Sequence, residues 1–545
     1  MRLTNCRSLQ ERPNMLIAAA GVLSALAIAA CGSSSAHHQT KTNSGTSSKA
    51  PRGFVAQTLT LQFNQPVSLN PALEGTYQSD IDFGALDYDS LIYQLPNGSY
   101  TGDLATSWGY APGSHNEIFN ITLRKGVHFS DGSLMTAKSV VASLEYFKNA
   151  HGPQSGYLAS MTSAKATGAY SVQLKFDAPE PALPFIFSQY QDAGQIIGPQ
   201  GLAHPSMLNT SSDGAGPYVL NSAQTVANSS YVFDANPHYW NPAAVHYRRV
   251  VVKVVTDPQT ALSAARAGEI DALTQLPPQA ASTAKADGLN VYQEPFSIAS
   301  LILMDRSGTI SPLGKLAVRQ AINEAVNRPA LAKGLGGGQA VPTDEVALPG
   351  TLGYDPSLAD RYPYDPSAAR KLLAKAGYPH GFTLPVLDTL ALDPNGDIAA
   401  ELKSQLAAIG IQLKITETPS PAQFLPASLS KRYPAVIWPL AQEGAGFPWS
   451  VAFALAPFTN AFGTTSPQLN ELLAAAGALP PTQSAAAYRR VEDFLVENAW
   501  YVPLYSLQAV FAVRPTVVVQ PPSLQNTTMD PVAPNPALSW YPRGS

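Results

Sequence analysis

The chain has 545 residues, with 34 Lys and Arg against 38 Asp and Glu, a formal net charge of −4 at pH 7. Only 13% of the residues are charged, which argues against a nucleic-acid-binding protein, because binding to the phosphate backbone needs clustered cations. At about 100 to 200 residues per domain, the length predicts two to four domains. A hydrophobic share of 45% with one long apolar run argues against both a polytopic membrane protein and a disordered chain.

Residues 1–30 are predicted to be a signal peptide. Basic residues precede an apolar run at 15–30, which is shorter than the about 18 to 20 residues needed to span a bilayer. The tetrapeptide Ile28-Ala29-Ala30-Cys31 resembles the lipobox of bacterial lipoproteins, in which the cysteine takes the lipid and becomes the mature N-terminus. The alternatives are an ordinary signal peptide with a chance cysteine and an uncleaved anchor helix. Residues 31–51 are rich in Ser, Thr and Gly, which is typical of a flexible tether.

The body that follows alternates strand and helix patterns, which predicts an α/β or α+β fold. The predicted elements, in chain order, are a strand at 57–64, a strand within 116–129, helices that begin after the capping residues Thr136, Asp257 and Asp365, a helix ending at Gly410 and a strand at 411–415. The last helix leads directly into its strand, as in the crossover of a parallel or mixed sheet.

The sequence gives little support for catalysis or for a metal site. The two cysteines, Cys6 and Cys31, lie outside any metal-type spacing, and His37 with His38 are interpreted as solvated residues of the tether. No nucleophile-elbow, zinc-protease or phosphate-loop pattern occurs. The glycine run at 334–338 is interpreted as a turn, because it follows a helical pattern. No catalytic residue, metal or cofactor is therefore predicted.

Several short motifs occur in a fixed order between residues 57 and 515. They are 88–91 (YDSL), 103–108 (DLATSW), 123–132 (LRKGVHFSDG), 136–140 (TAKSV), 214–218 (GAGPY), 236–240 (NPHYW), 268–271 (GEID), 318–322 (VRQAI), 364–366 (YDP), 376–379 (AGYP), 410–411 (GI) and 502–505 (VPLY). This ordered set resembles the family 5 extracytoplasmic solute-binding proteins of ABC importers, a family of peptide- and nickel-binding proteins.

The resemblance implies a two-lobed, periplasmic-binding-protein-like α/β fold of class II, cluster C type, with a small inserted extra domain. The implied division is a first lobe at 52–85, 200–299 and 506–545, an inserted domain at 86–199 and a second lobe at 300–505. Ligand is expected in the cleft between the lobes, which close by hinge motion.

The resemblance also implies residues that contact the ligand. Peptide-binding members share a Trp-x-Ala-Asp segment, whose aspartate receives the ammonium group of the peptide, since a buried cation needs a carboxylate. Trp438 matches the tryptophan, but Ala441 stands in place of the aspartate. Glu443 is a possible replacement, or else a loop residue that faces solvent. The predicted ligand-binding residues are Asn64, Tyr77, Trp438, Glu443 and Trp449, and each has a structural role as its alternative.

The implied function is capture of a small solute, with a peptide favoured over a sugar or another flat solute, and its delivery to an ABC permease. The protein is expected to be a monomer outside the cytoplasm, anchored to the cell membrane through lipidated Cys31, and not an enzyme. Its expected partners are the solute, the permease and the membrane, with no nucleic acid. Two alternatives stay open: a transport-inactive relative that regulates envelope assembly through protein contacts, and an extracytoplasmic hydrolase.

Overall fold

The computed structural model describes residues 56–74, 78–274, 276–390, 393, 396–419, 421–441, 460–479, 481–520 and 529–544. The predicted signal peptide, the tether and Cys31 lie outside these ranges. Within them, no helix combines the length and the apolar character that a membrane crossing requires.

Strands and helices alternate along the described part of the chain. The strands are β1 Ala56–Phe63, β2 Ile92–Gln94, β3 Tyr100–Gly102, β4 Ala105–Tyr110, β5 Ile118–Leu123, β6 Met161–Gly168, β7 Ser171–Phe176, β8 Tyr218–Leu220, β9 Ser230–Ala235, β10 Tyr247–Val254, β11 Ala272–Leu273, β12 Asn290–Leu303, β13 Phe382–Thr389, β14 Ile411–Thr418, β15 Ala435–Ala441, β16 Tyr501–Val513, β17 Val517–Val518 and β18 Tyr541–Pro542. The helices are α1 Gln78–Asp87, α2 Ala137–Asn149, α3 Leu183–Ile186, α4 Pro199–Ala203, α5 Pro258–Arg266, α6 Ala281–Ala286, α7 Leu316–Glu324, α8 Arg328–Leu335, α9 Pro366–Lys375, α10 Asp397–Ala407, α11 Pro421–Leu429, α12 Pro467–Gly477 and α13 Ala485–Glu497.

The helices begin and end where local side-chain chemistry predicts. Thr136 and Ser139 form a capping box at the start of α2, and the carboxylates of Asp257 and Asp365 accept backbone N–H bonds at the starts of α5 and α9. Gly410 ends the turn after α10 with a φ of 90°, a left-handed conformation that favours glycine. The capping predictions and the predicted entry into β14 are thus confirmed.

A ten-stranded sheet runs through the body in the order β14-β13-β15-β12-β16-β11-β1-β10-β9-β8. Strand β13 is parallel to β14 and to β15, and β1 is parallel to β10 and to β11, whereas the other neighbours are antiparallel. The helix α10 connects the parallel strands β13 and β14, which confirms the predicted crossover. We call the part built on β1 and β8–β11 the first lobe and the part built on β13–β15 the second lobe.

Each lobe buries both faces of its part of the sheet. On β13, Val386 belongs to the core that contains Leu402 of α10, whereas the next residue, Leu387, belongs to the core that contains Phe424 of α11. Successive strand residues point to opposite faces, so a strand covered by helices on both sides is apolar throughout. The first lobe likewise has one core on each face of the sheet.

A separate four-stranded antiparallel sheet, in the order β4-β5-β7-β6, packs against α2 and forms the inserted domain. Phe119, Ile121 and Leu123 of β5 are all buried in its core, on the one face that their alternation predicts. The inserted domain therefore has a hydrophobic core of its own. Its predicted boundaries at 86 and 199 stay a prediction.

Motif residues join the inserted domain to the first lobe. The indole Nε1 of Trp240 donates to Asp89 Oδ2 at 2.7 Å, and the guanidinium of Arg124 lies 3.8 Å from the centre of the Trp240 ring. Arg124 Nε also donates to the backbone carbonyl of Asp103 at 2.9 Å. These residues hold the scaffold together.

Candidate functional site

The strands β12 and β16 form an antiparallel ribbon that passes from the first lobe to the second. At one end of the ribbon β16 pairs with β11, and at the other end β12 pairs with β15. Between these ends the register shifts between Pro295 and Ser297, and it shifts again between Ala299 and Ser300. A bulge bends a strand and a proline removes one ladder N–H, so the ribbon is expected to flex here.

The parallel strands of both lobes point their carboxyl ends at this flexible part of the ribbon. Strand β15 begins opposite Leu303 and ends opposite Ser297, beside the register shift, and β13 and β14 run in the same direction. Strand β11 pairs first with Val513 and then with Ala512, so it also runs toward the middle of the ribbon, together with β1 and β10. Ligands of open α/β sheets bind outside the carboxyl ends of strands. The crevice between these two edges is therefore the candidate site.

The structure places two of the five predicted ligand-binding residues. Asn64 directly follows β1 and lies half-buried at the first-lobe edge of the crevice. Trp438 lies half-buried on β15, opposite Ser300, and its ring stacks on Phe424 with 4.5 Å between ring centres. Tyr77, Glu443 and Trp449 lie outside the described residues. Ligand contact by any of the five stays a prediction.

At the first-lobe edge, a buried glutamine fastens the strand ends to one another. The side-chain amide of Gln62 donates to the carbonyl of Val255 at 2.7 Å, and its Oε1 accepts the N–H of Thr274 at 3.1 Å. These bonds connect the ends of β1, β10 and β11. Gln62 therefore holds this wall of the crevice in shape.

At the second-lobe edge lies a buried aspartate that sequence analysis did not single out. Asp388, one residue before the end of β13, is 0% exposed. Burial raises its pKa to about 7, and the negative charges of Asp393 and Glu417 add to this effect. The signal in the sequence is the alternation of Phe382, Leu384 and Val386, which puts an acidic residue at the next core-facing position.

A further contact joins the inserted domain to the second lobe. The side-chain amide of Asn116 donates to the carbonyl oxygens of Gly477 and Leu479, at 2.8 and 3.0 Å. Asn116 is 5% exposed and has a φ of 65°, a conformation that asparagine tolerates better than most residues. Pro179 packs beside Gly477. We call this contact, formed by Asn116, Pro179, Gly477 and Leu479, the clasp.

Solved structures share this fold. The periplasmic binding protein DppA from Helicobacter pylori, associated with an ABC transporter and solved with the peptide STSA, matches with a TM-score of 0.73 at 22% identity, over 89% of this chain and 98% of that chain. NikA from Brucella suis, solved with Fe(III)-EDTA, matches with a TM-score of 0.71 at 22% identity, over 87% and 99%. The expected two-lobed fold with an inserted domain is confirmed.

Sequence comparison gives the family. The glutathione-binding protein GsiB of Salmonella typhi is 27% identical over 414 residues, which cover 73% of this chain and 79% of that protein. The model of the bacterial extracellular solute-binding proteins, family 5 (middle), matches residues 99–462. This match covers more than half of the chain, and the chain therefore belongs to family 5 of the bacterial extracellular solute-binding proteins.

Proposed function

We propose that the protein captures a small peptide in the crevice between its lobes and delivers it to an ABC permease. The observation that carries the proposal is the convergence of both sets of carboxyl strand ends on the register shift of the β12–β16 ribbon. Such a site can close by bending the ribbon and bury a solute from both sides. DppA binds a peptide, and GsiB binds glutathione, itself a small peptide, which supports this choice of ligand.

The protein is expected to co-purify with its solute. A bound solute stabilises only the folded chain, by about 2.7 kcal/mol at a hundredfold excess over Kd. We would isolate the native protein gently, identify the released compound by mass spectrometry, and add the compound back to protein that has been unfolded and refolded. The melting temperature should then rise in proportion to the logarithm of the compound concentration.

A panel of peptides, sugars and metal ions completes this experiment. If no compound co-purifies and no panel member raises the melting temperature, the transport receptor is contradicted. That result would favour the transport-inactive relative, to which Ala441 at the place of the family's aspartate also points. Turnover of a peptide, seen by mass spectrometry of the mixture, would instead indicate a hydrolase.

We further propose that lipid on Cys31 anchors the protein, as a monomer, to the outer face of the cell membrane. The lipobox pattern at 28–31 and the tether that follows support this proposal. The wild-type protein should begin at an acylated Cys31, and a Cys31→Ser variant should lose the acyl chains, both measured by mass spectrometry. A wild-type protein that carries no acyl chain and keeps residues 1–30 would indicate an uncleaved anchor helix instead. Cys6→Ser is the matched control and should change neither result.

A further inference from the structure

We propose that Asp388 is a binding subsite for a primary ammonium group of the solute, on the second-lobe wall of the crevice. The inference rests on the proposed function and further specifies that the second lobe recognises a positively charged group of the solute. Three features of the structure carry it: the position of Asp388, its hydrogen bonding, and the charges around it.

Asp388 lies where the hydrophobic core of the second lobe meets the crevice. On β13, Val386 pairs with Ala435 and Leu387 pairs with Val436 of the parallel strand β15, so Asp388 comes next toward the carboxyl edge. The alternation of β13 directs its side chain to the same face as Val386. The carboxylate thus continues the core face at the edge that points toward the ribbon.

Half of this carboxylate has no hydrogen-bond partner. Oδ1 accepts the N–H of its neighbour Thr389 at 2.8 Å, whereas Oδ2 is buried without a partner among the described residues. Glu492, another buried carboxylate of this lobe, has the same pattern, because its Oε1 accepts the N–H of Val346 at 2.6 Å and that of Ala347 at 3.3 Å whereas its Oε2 has no partner among the described residues. Asp388 differs from Glu492 in its position, at the carboxyl end of a strand that points toward the ribbon. A buried carboxylate oxygen without a donor is costly, so a ligand that supplies a donor gains that free energy.

The side chains around Asp388 are acidic, which favours binding of a cation. Asp393 and Glu417 lie close enough to raise its pKa, and no Lys or Arg of the described chain forms an ion pair with it. Asp397 begins the neighbouring helix α10. Burial raises the pKa of Tyr505, and the negative charges of Asp393 and Asp397 raise this pKa further. The group that neutralises this edge would therefore come from the ligand.

An ammonium group fits this edge better than a bare metal ion. Within the described ranges, no three His, Cys, Asp or Glu side chains lie together in a way that could hold a metal. Asp393 already uses Oδ2 to accept the N–H of Ala399 at the start of α10, at 3.1 Å. One free carboxylate oxygen suits a group with a positive charge and N–H donors.

The test compares the wild type with Asp388→Asn and with the control Asp360→Asn, which removes the same charge from an exposed position. The probe is the compound that co-purifies with the wild-type protein. We expect it to contain a primary amine and to bind Asp388→Asn at least about 30-fold more weakly by calorimetry, because the partner of a buried charge is lost. Asp360→Asn should bind as the wild type does.

A second measurement does not depend on the variant. Acetylation of the amine of the recovered compound should weaken its binding to the wild type by a similar factor. Three results would overturn this inference and leave the proposed function standing: a recovered compound without a primary amine, wild-type affinity of Asp388→Asn for the compound, or unchanged affinity of the wild type for the acetylated compound. Recovery of no compound, with no stabilisation by the panel of peptides, sugars and metal ions, would overturn both.

Discussion

Replacing Arg328 by methionine is expected to lower the free energy of unfolding by about 3–5 kcal/mol, because it leaves a buried carboxylate without its counter-charge. Arg328 Nε lies 2.8 Å from Asp344 Oδ1, and both side chains are about 95% buried. The guanidinium also donates to the carbonyl oxygens of Pro503, Asn323 and Tyr362, at 2.7, 3.0 and 3.3 Å. One side chain thus satisfies acceptors from three separate segments of the second lobe.

Urea unfolding followed by circular dichroism measures this effect. Arg361→Met, at an exposed arginine of the same lobe, is the matched control and should change the stability by less than about 0.5 kcal/mol. The double variant Arg328→Met with Asp344→Leu should recover only part of the loss, since an apolar pair can replace a buried ion pair but leaves the carbonyl oxygens of Pro503, Asn323 and Tyr362 without their donors. A loss below about 1 kcal/mol in the single variant would show that the pair does not hold the lobe together.

Joining the clasp covalently is expected to slow release of the bound solute by at least about tenfold. A Cβ atom placed on Gly477 would lie 3.9 Å from the Cβ of Pro179, which is within the range of a disulfide. The double variant Pro179→Cys with Gly477→Cys, in a chain whose Cys6 and Cys31 are replaced by serine, should therefore form a disulfide on oxidation. Because the clasp joins the inserted domain to the second lobe, the lobes then cannot separate until the disulfide is reduced.

Release of the co-purified solute during dialysis measures this effect, with and without reductant. The opposite variant is Asn116→Asp, which keeps the side-chain shape and tolerates the left-handed backbone but removes both donated hydrogen bonds. It should release the solute faster than the wild type. Failure of the disulfide to form, or equal release rates for the oxidised and reduced protein, would contradict the role of the clasp in closure.

Local chemistry in the sequence predicts much of the fold. Asp257 and Asp365 mark the starts of two helices because an aspartate cap needs only the next few N–H groups. The alternation of Phe119, Ile121 and Leu123 predicts which face of β5 is buried, because successive residues of a strand point to opposite faces. The two-lobed arrangement comes from the family motifs, since residues far apart in the chain cannot be paired by periodicity.

The site is harder to predict because it depends on strand order. The alternation of β13 indicates that Asp388 faces the core, but its place at the edge of the crevice follows only when β13 is put beside β15, with its carboxyl end toward the ribbon. Asn116 meets Gly477 across a separation of 361 residues, which no local pattern indicates. The motif around Trp438 predicts an aromatic wall for the ligand; its ring stacks on Phe424, and its contact with a ligand stays a prediction.

The crossing strands also limit how the lobes can move. Two paired strands resist sliding and shearing because their ladder hydrogen bonds would break, so the lobes approach each other along nearly a single path. Domains on an unstructured linker must instead give up many relative orientations on closing. The proposed closure would therefore lose little orientational entropy, and more of the contact free energy would remain to set the affinity for the solute.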